Sequence, residues 1–195
     1  MTGQTRRGDP HAERVDARRP AAFLDRDGVL NIDHGYAHRL DQLEWIEGAP
    51  EAVRLLNEAG YYVLVVTNQS GIARGYYSEE AVSAFHERMQ KDLASQGAHI
   101  DAFYFCPHHP EGTIEALAIR CQCRKPAPGM LEQAAREWPI DRTESFLIGD
   151  NEADMDAARA FGIPGIRFDW RVDSLSDLVR REIADRSDRI RGRPS

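Results

Sequence analysis

Long apolar runs are missing from this 195-residue chain. No stretch approaches the ~18 consecutive apolar residues of a membrane-spanning helix, so no membrane partner is expected. The first residues lack the apolar core of a secretory leader, which makes the cytoplasm the expected compartment. Cysteine is scarce. Three residues, two of them in Cys121-Gln122-Cys123, make no disulfide framework and in a cytoplasmic setting point to a metal. Positive charge is outweighed: 25 Lys and Arg face 32 Asp and Glu, and the net of −7 argues against nucleic acid as a partner. An anionic small molecule stays open, because local cations and a bound metal decide its binding. Heptads and broad apolar helix faces are absent too, so a monomer is expected.

What is present suits one soluble domain. A hydrophobic share of 42% is ordinary, and a globule of this length buries roughly 70% of its unfolded surface. Residues 1–19 are polar, without apolar periodicity, with five arginines against three acids, and read as a flexible tail. Residues 187–195 read as a second tail, which leaves 20–186 as the domain. Inside it, short apolar or β-branched runs at Ala21–Leu24, Tyr62–Val66, Ala102–Phe105, Ser145–Ile148 and Gly165–Phe168 read as strands. Helical spacing marks Ala49–Ala59, Ser78 to about Ser95, Pro128–Glu137, Glu152–Phe161 and Ser174–Ile183. Strand–helix alternation of this kind predicts a Rossmann-like, doubly wound, mainly parallel α/β sheet. Sites in such sheets lie at the C-terminal ends of the strands.

The most telling stretch sits at one of those ends. After Ala21–Leu24 come Asp25-Arg26-Asp27-Gly28. Two acids two residues apart on an extended exit project the same way, and Gly28 allows a tight turn behind them. Such a pair suits a divalent cation and acid chemistry. Three further pieces fall where the rule wants them: Thr67-Asn68-Gln69-Ser70-Gly71 after the second strand, Arg124-Lys125-Pro126 before the Pro128 helix, and Gly149-Asp150-Asn151 after the fourth strand, with Asp154 one turn on. Each alone is commonplace. Asp-x-Asp is more often turn chemistry, Thr-Asn a helix cap, a lone lysine solvated surface.

The ordered set of four resembles the motifs of the haloacid dehalogenase superfamily. That resemblance implies phosphoryl transfer, with Asp25 as nucleophile, Asp27 as general acid and base, and Thr67 and Lys125 holding phosphoryl oxygens. Mg²⁺ is the implied cofactor, held by Asp25, the backbone carbonyl of Asp27, and Asp150. Neither gap between motifs has room for a separate domain of ~60 residues, so no large cap is expected and the site should be open.

The cysteines add a second metal. Cys106-Pro107-His108 and Cys121-Gln122-Cys123 supply three thiolates and an imidazole, a structural Zn²⁺ set. Spacing alone leaves His109 as a competitor of His108. The segments Asp25–Asn31, Asp33–Tyr36, Thr67–Gly71 with Arg74-Gly75, Cys106–Pro110 and Cys121–Met130 resemble the heptose 1,7-bisphosphate 7-phosphatase family. This resemblance implies zinc on Cys106, His108, Cys121 and Cys123, and substrate contacts from Asp33, His34, Gly35, Tyr36, Asn68, Gln69, Ser70 and Arg124. The implied substrate is a small sugar bisphosphate. Histidinol phosphate is the alternative substrate, and a zinc-stabilised binding module without catalysis is the alternative class.

Overall fold

The computed structural model describes residues 18–191. Most of the expected N-terminal tail and the last four residues therefore lie outside the described residues. Five strands form the sheet: β1 (Ala21–Leu24), β2 (Tyr62–Asn68), β3 (Ala102–Cys106), β4 (Phe146–Gly149) and β5 (Gly165–Arg167). Their order is β3-β2-β1-β4-β5, and every pairing is parallel. Helices α1 (Ala49–Glu58), α2 (Glu79–Ala94), α3 (Gly129–Glu137), α4 (Glu152–Phe161) and α5 (Leu175–Arg191) cover it.

Local chemistry explains these boundaries. Pro50 opens α1, where the missing N–H is harmless. Ser78 caps α2 by accepting from the Ala81 amide at 3.3 Å, and Glu79 and Glu80 favour the positive end of the helix dipole. Asn151 and Asp154 close a reciprocal capping box on α4, which ends on Gly162 with φ +83°.

Both faces of β1 are buried, as a central parallel strand requires. Ala22 and Leu24 join one core with α1, α2 and α5, through Val53, Leu56, Phe85, Met89 and Val179. Ala21 and Phe23 join a second core with α3 and α4, through Met130, Leu131, Ala158 and Phe161. The chain reverses its direction of sheet growth between β3 and β4, so the crevice between the C-termini of β1 and β4 is the topological switch point. Asp25 and Asp150 leave the sheet on either side of that crevice.

Two domain edges differ from expectation. Arg19, placed in the tail, already belongs to the fold: its amide donates to the Pro139 carbonyl at 3.0 Å and its guanidinium lies over Tyr62. Helix α5 continues past 186 to Arg191. Apolar periodicity fades after Ile183, but buried Arg186 anchors the later turns. It lies 4.7 Å over the Phe146 ring and pairs with Glu182 at 3.2 Å.

Phe23 tests the second core. Fully buried, it meets Phe161 edge to face with ring centroids 5.8 Å apart. Phe23→Ala should lower unfolding free energy by about 3–5 kcal/mol, read by urea titration. A loss below about 1 kcal/mol would show that this face is not a tightly packed core.

Candidate active site

Most of the residues expected in the site line one cavity of about 440 Å³ at the switch point. Asp25, Asp27, Asp33, Gly35, Tyr36, Thr67, Asn68, Gln69, Ser70, Arg124, Lys125 and Asp150 all border it. His34 does not. It turns outward and meets Glu44 at 3.0 Å, because Gly35 and Tyr36, both at positive φ, fold the loop tip back over the mouth.

The centre is a buried ionic cluster. Lys125 donates from Nζ to Asp25 Oδ1 at 2.9 Å and to the Val66 carbonyl at 2.8 Å, and meets Asp154 Oδ1 at 2.5 Å. The ammonium is thus hydrogen-bonded to the Val66 carbonyl and ion-paired with two carboxylates. Burial alone would push the lysine pKa down, yet Asp25 and Asp154 hold it above the ordinary value. Asp25 moves the other way. Burial pushes it up to about 7, Lys125 opposing and Asp154 adding to the rise. Burial also raises Asp150.

Backbone geometry brings the carboxylates together. Gly28 has φ +83°, and a Cβ there would lie 2.3 Å from Asp150 Oδ2. Gly149 has no room for a side chain either, since a Cβ would stand 2.4 Å from Asp154 Oδ2. Oxygens of Asp25, Asp150 and Asp154 consequently lie within 4.8 Å of one another. Three acids against one ammonium, with hard oxygen donors facing an open cavity, fit a divalent cation such as Mg²⁺.

Asp27 stands beside this cluster in a cradle of donors. Arg26 reaches its carboxylate from Nη2 at 2.9 Å and from Nε at 3.2 Å, Asn31 donates at 2.9 Å and Gln69 at 3.1 Å. Arg26 is itself fully buried, over the Phe85 ring at 4.7 Å, with its Nη2 also donating to the Ala37 carbonyl at 2.7 Å. His86 contacts Arg26 Nη1 at 3.4 Å and stacks on Phe103. Burial first, then the arginine charge, pushes His86 down to about 3, so it contacts Arg26 as a neutral ring.

Asn68 and Gln69 are committed inside the protein. Asn68 Nδ2 donates to the Lys125 carbonyl at 3.1 Å, while the Lys125 amide donates to Asn68 Oδ1 at 3.0 Å. That reciprocal pair fixes the lysine backbone to β2. Gln69 donates to Thr67 Oγ1 at 2.9 Å as well as to Asp27. Arg124 is different: its Nη1 is buried at the cavity wall without a hydrogen-bond partner among the described residues.

Beyond Lys125 lies the second cluster. Cys106, His108, Cys121 and Cys123 each offer one donor atom, all within 4.8 Å. Cys123 Sγ is 3.0 Å from Cys106 Sγ and 3.2 Å from Cys121 Sγ, and His108 Nδ1 lies 3.3 Å from Cys123 Sγ. His109, the competitor that spacing leaves open, turns instead toward Arg74. The hydrogen bond shared with Cys106 pulls Cys123 down to about 5, which favours the thiolate a soft metal needs. A set of three sulfurs and one imidazole fits tetrahedral Zn²⁺. Gly129 lets α3 pack against this loop, since a Cβ would sit 2.2 Å from the Gln122 carbonyl oxygen.

Asp154, Arg26, His86 and Tyr77 carry no site role in the sequence reading. Only Asp154 had a local signal there, one helical turn after Asp150.

Comparison with known proteins supplies the lineage. Residues 22–109 match the family described as haloacid dehalogenase-like hydrolase, and residues 122–180 a second, HAD-hydrolase-like family. A D-glycero-beta-D-manno-heptose-1,7-bisphosphate 7-phosphatase of Rhodopseudomonas palustris is 54% identical over 152 residues, covering 78% of this chain and 84% of that protein. The protein of the same name from Escherichia coli K12 is 42% identical over 175 residues, covering 82% and 91%. A crystal structure of D,D-heptose 1,7-bisphosphate phosphatase from B. bronchiseptica, complexed with magnesium and phosphate, superposes with a TM-score of 0.75. It is 29% identical, with 85% of this chain and 99% of that one covered. With the fold, the buried acid–lysine cluster and these relatives in agreement, this chain belongs to the D-glycero-β-D-manno-heptose-1,7-bisphosphate 7-phosphatase family of haloacid dehalogenase-like hydrolases.

Proposed function

We propose that this protein is a Mg²⁺-dependent phosphatase that removes the 7-phosphate of D-glycero-β-D-manno-heptose 1,7-bisphosphate, acting as a cytoplasmic monomer in ADP- or GDP-heptose biosynthesis. The observation that carries the reading is the meeting of Asp25, Asp27, Lys125 and Asp150 in one cavity whose wall also holds Arg124.

The chemistry follows from the positions. Asp25 attacks phosphorus with a carboxylate oxygen while the bond from phosphorus to the sugar oxygen breaks. Asp27 gives a proton to that leaving oxygen. The aspartyl-phosphate on Asp25 is then opened by water, whose proton goes to Asp27 as phosphate departs. Lys125 and the Thr67 hydroxyl stabilise charge growing on the phosphoryl oxygens. Asp25, Asp150 and the Asp27 carbonyl are the groups that would hold Mg²⁺, and when bound the ion neutralises the carboxylates facing an anionic ester. Arg124, with its unpartnered Nη1, takes the second phosphate, and Asp33 and Tyr36 reach sugar hydroxyls from the rim. Zinc on the cysteine loop is structural. All four positions are protein donors, and the loop it ties leads directly into Arg124 and Lys125.

Three experiments test this. Phosphate release from the heptose bisphosphate should exceed release from histidinol phosphate in kcat/KM, and Asp25→Asn should lower kcat by more than about 10³-fold. Absence of heptose turnover, or turnover unchanged in Asp25→Asn, refutes the assignment.

Protonation of Asp25 gives a second test. Its folded pKa stands near 7 against an ordinary 3.8, so the folded state holds more protons between those values. Its contribution to stability is present at low pH and is lost as pH rises through about 7. Without added Mg²⁺, melting should drop between about pH 5.5 and about pH 8 more in the wild type than in Asp25→Asn. Mg²⁺ should raise Tm more at the higher pH, because it binds the ionised acids. Equal shifts at both pH values would count against a cation on Asp25.

Cys121→Ser should abolish zinc content, measured by atomic emission, and raise KM while the sheet stays folded by circular dichroism. Full activity after complete zinc removal would exclude the role of the loop in placing Arg124 and Lys125.

A further inference from the structure

Gln69 is the residue whose surroundings match its expected role least. The resemblance implies a substrate contact, yet the side chain is 1% exposed and its amide is fully engaged. One Nε2 hydrogen goes to Asp27 Oδ2 at 3.1 Å and the other to Thr67 Oγ1 at 2.9 Å. Its Oε1 accepts from the Tyr77 hydroxyl at 2.8 Å. An amide has two donors and one acceptor oxygen, so little remains for a ligand.

We propose that Gln69, oriented by Tyr77, is a positioning residue that holds the acid–base carboxylate of Asp27 and the phosphate-binding hydroxyl of Thr67 in fixed relation. The proposal rests on the reading of Asp27 as the proton donor.

The Tyr77 end of the dyad is rigid. Its ring lies on Gly71 so closely that a Cβ on the glycine would come within 2.2 Å of a ring carbon. On its other side the ring stacks with His38 at 4.6 Å and an interplanar angle of 17°. Burial pushes the Tyr77 pKa up to about 12, so the hydroxyl keeps its proton and serves as a donor. The Asp27 carboxylate only accepts, so it requires Nε2 of Gln69 on its side, and the Tyr77 hydroxyl meets the opposite Oε1 as a donor. The reversed amide would set its oxygen against the Asp27 carboxylate. Tyr77 thus locks the glutamine in that orientation, and Gln69 joins Arg26 and Asn31 in holding the carboxylate while tying it to Thr67.

The arrangement also ties the rim to the chemistry. His38 belongs to the loop that carries Asp33 and Tyr36, and its Nδ1 lies 2.6 Å from the Tyr36 carbonyl. Tyr36 in turn packs edge to face on Tyr76, the neighbour of Tyr77, at 4.9 Å. The loop proposed to touch the sugar is therefore seated on the residue that orients the acid's holder.

Leaving-group dependence tests this. An alkoxide leaving group needs the Asp27 proton, whereas p-nitrophenolate leaves without it. Tyr77→Phe removes one hydroxyl and keeps the ring packing. Its kcat on heptose bisphosphate should fall about 10-fold with KM within about 2-fold, and its loss on p-nitrophenyl phosphate should be several-fold smaller. Gln69→Leu, which removes both donor arms, should show the same split with a larger loss on the sugar. Wild-type kcat on the sugar in Tyr77→Phe, or equal losses on both esters in both variants, overturns the proposal. A wild type that cleaves p-nitrophenyl phosphate but not the heptose bisphosphate overturns the substrate reading alone, and 2-glycerol phosphate then serves as the alkyl ester in the same comparison.

Discussion

Lys125 is buried at the cavity floor, its ammonium shared between Asp25 after β1, Asp154 on α4 and the Val66 carbonyl on β2. Taking such charges out of water costs several kcal/mol per ion, and only close pairing with every donor satisfied offsets that. The cluster therefore cannot be loosened piecemeal. Removing Asp154 strands the lysine, and removing the lysine leaves two buried acids facing each other. It also fixes Asp25, the carboxylate proposed as nucleophile. The rest of the site is arranged to deliver this one ammonium. Asn68 grips the lysine backbone at both its N–H and its carbonyl, and the cysteine loop anchors the chain just before it.

The two candidate metal sites differ in ligand chemistry. Oxygens on three acids suit a hard cation that exchanges ligands with substrate, while sulfur and imidazole suit a soft ion that stays. Their separation is built into the sheet. Asn68 and Cys106 are partners in the β2–β3 register, and the Gln69 amide donates to the Cys106 carbonyl at 2.8 Å. One strand pair thus carries the Thr67–Ser70 cavity segment on one strand and the first thiol on its neighbour. A shift of register would move both, which couples the cysteine cluster to the position of Thr67 as well as to Lys125.

The sequence announces the strands, the helices and the four motif positions clearly, because both signals are local. Periodicity marks the elements, and strand ends mark the site. What stays hidden depends on burial, which no spacing reveals. Arg26 lies between two acids in the chain and reads as an ordinary charge at a turn, but its guanidinium is enclosed by Phe85, His86 and Asp27. Asp154 is visible one turn after Asp150, yet its partner lies on another element. Gln69 and His34 share a contiguous motif with residues that line the cavity. Backbone conformation then turns one inward to the acid and the other outward to Glu44. The late turns of α5 escape notice for a similar reason, since an arginine rather than an apolar residue covers the sheet there.

Charge explains how an acidic chain can take a doubly phosphorylated ligand. The cavity carries the acids Asp25, Asp27, Asp33 and Asp150 against the cations Arg124 and Lys125. Lys125 is already neutralised by its two carboxylates, so it offers position more than net attraction. A divalent cation held by Asp25 and Asp150 would bring that end close to neutrality and so let an anionic ester approach the carboxylates. Arg124, proposed to take the other phosphate, has a buried Nη1 without a partner among the described residues. A monoester without a second anion would leave that guanidinium unpaired at the cavity wall, an appreciable penalty for a buried donor. On the proposed reading, a second phosphate would supply Arg124 with a hydrogen bond that a monophosphate cannot.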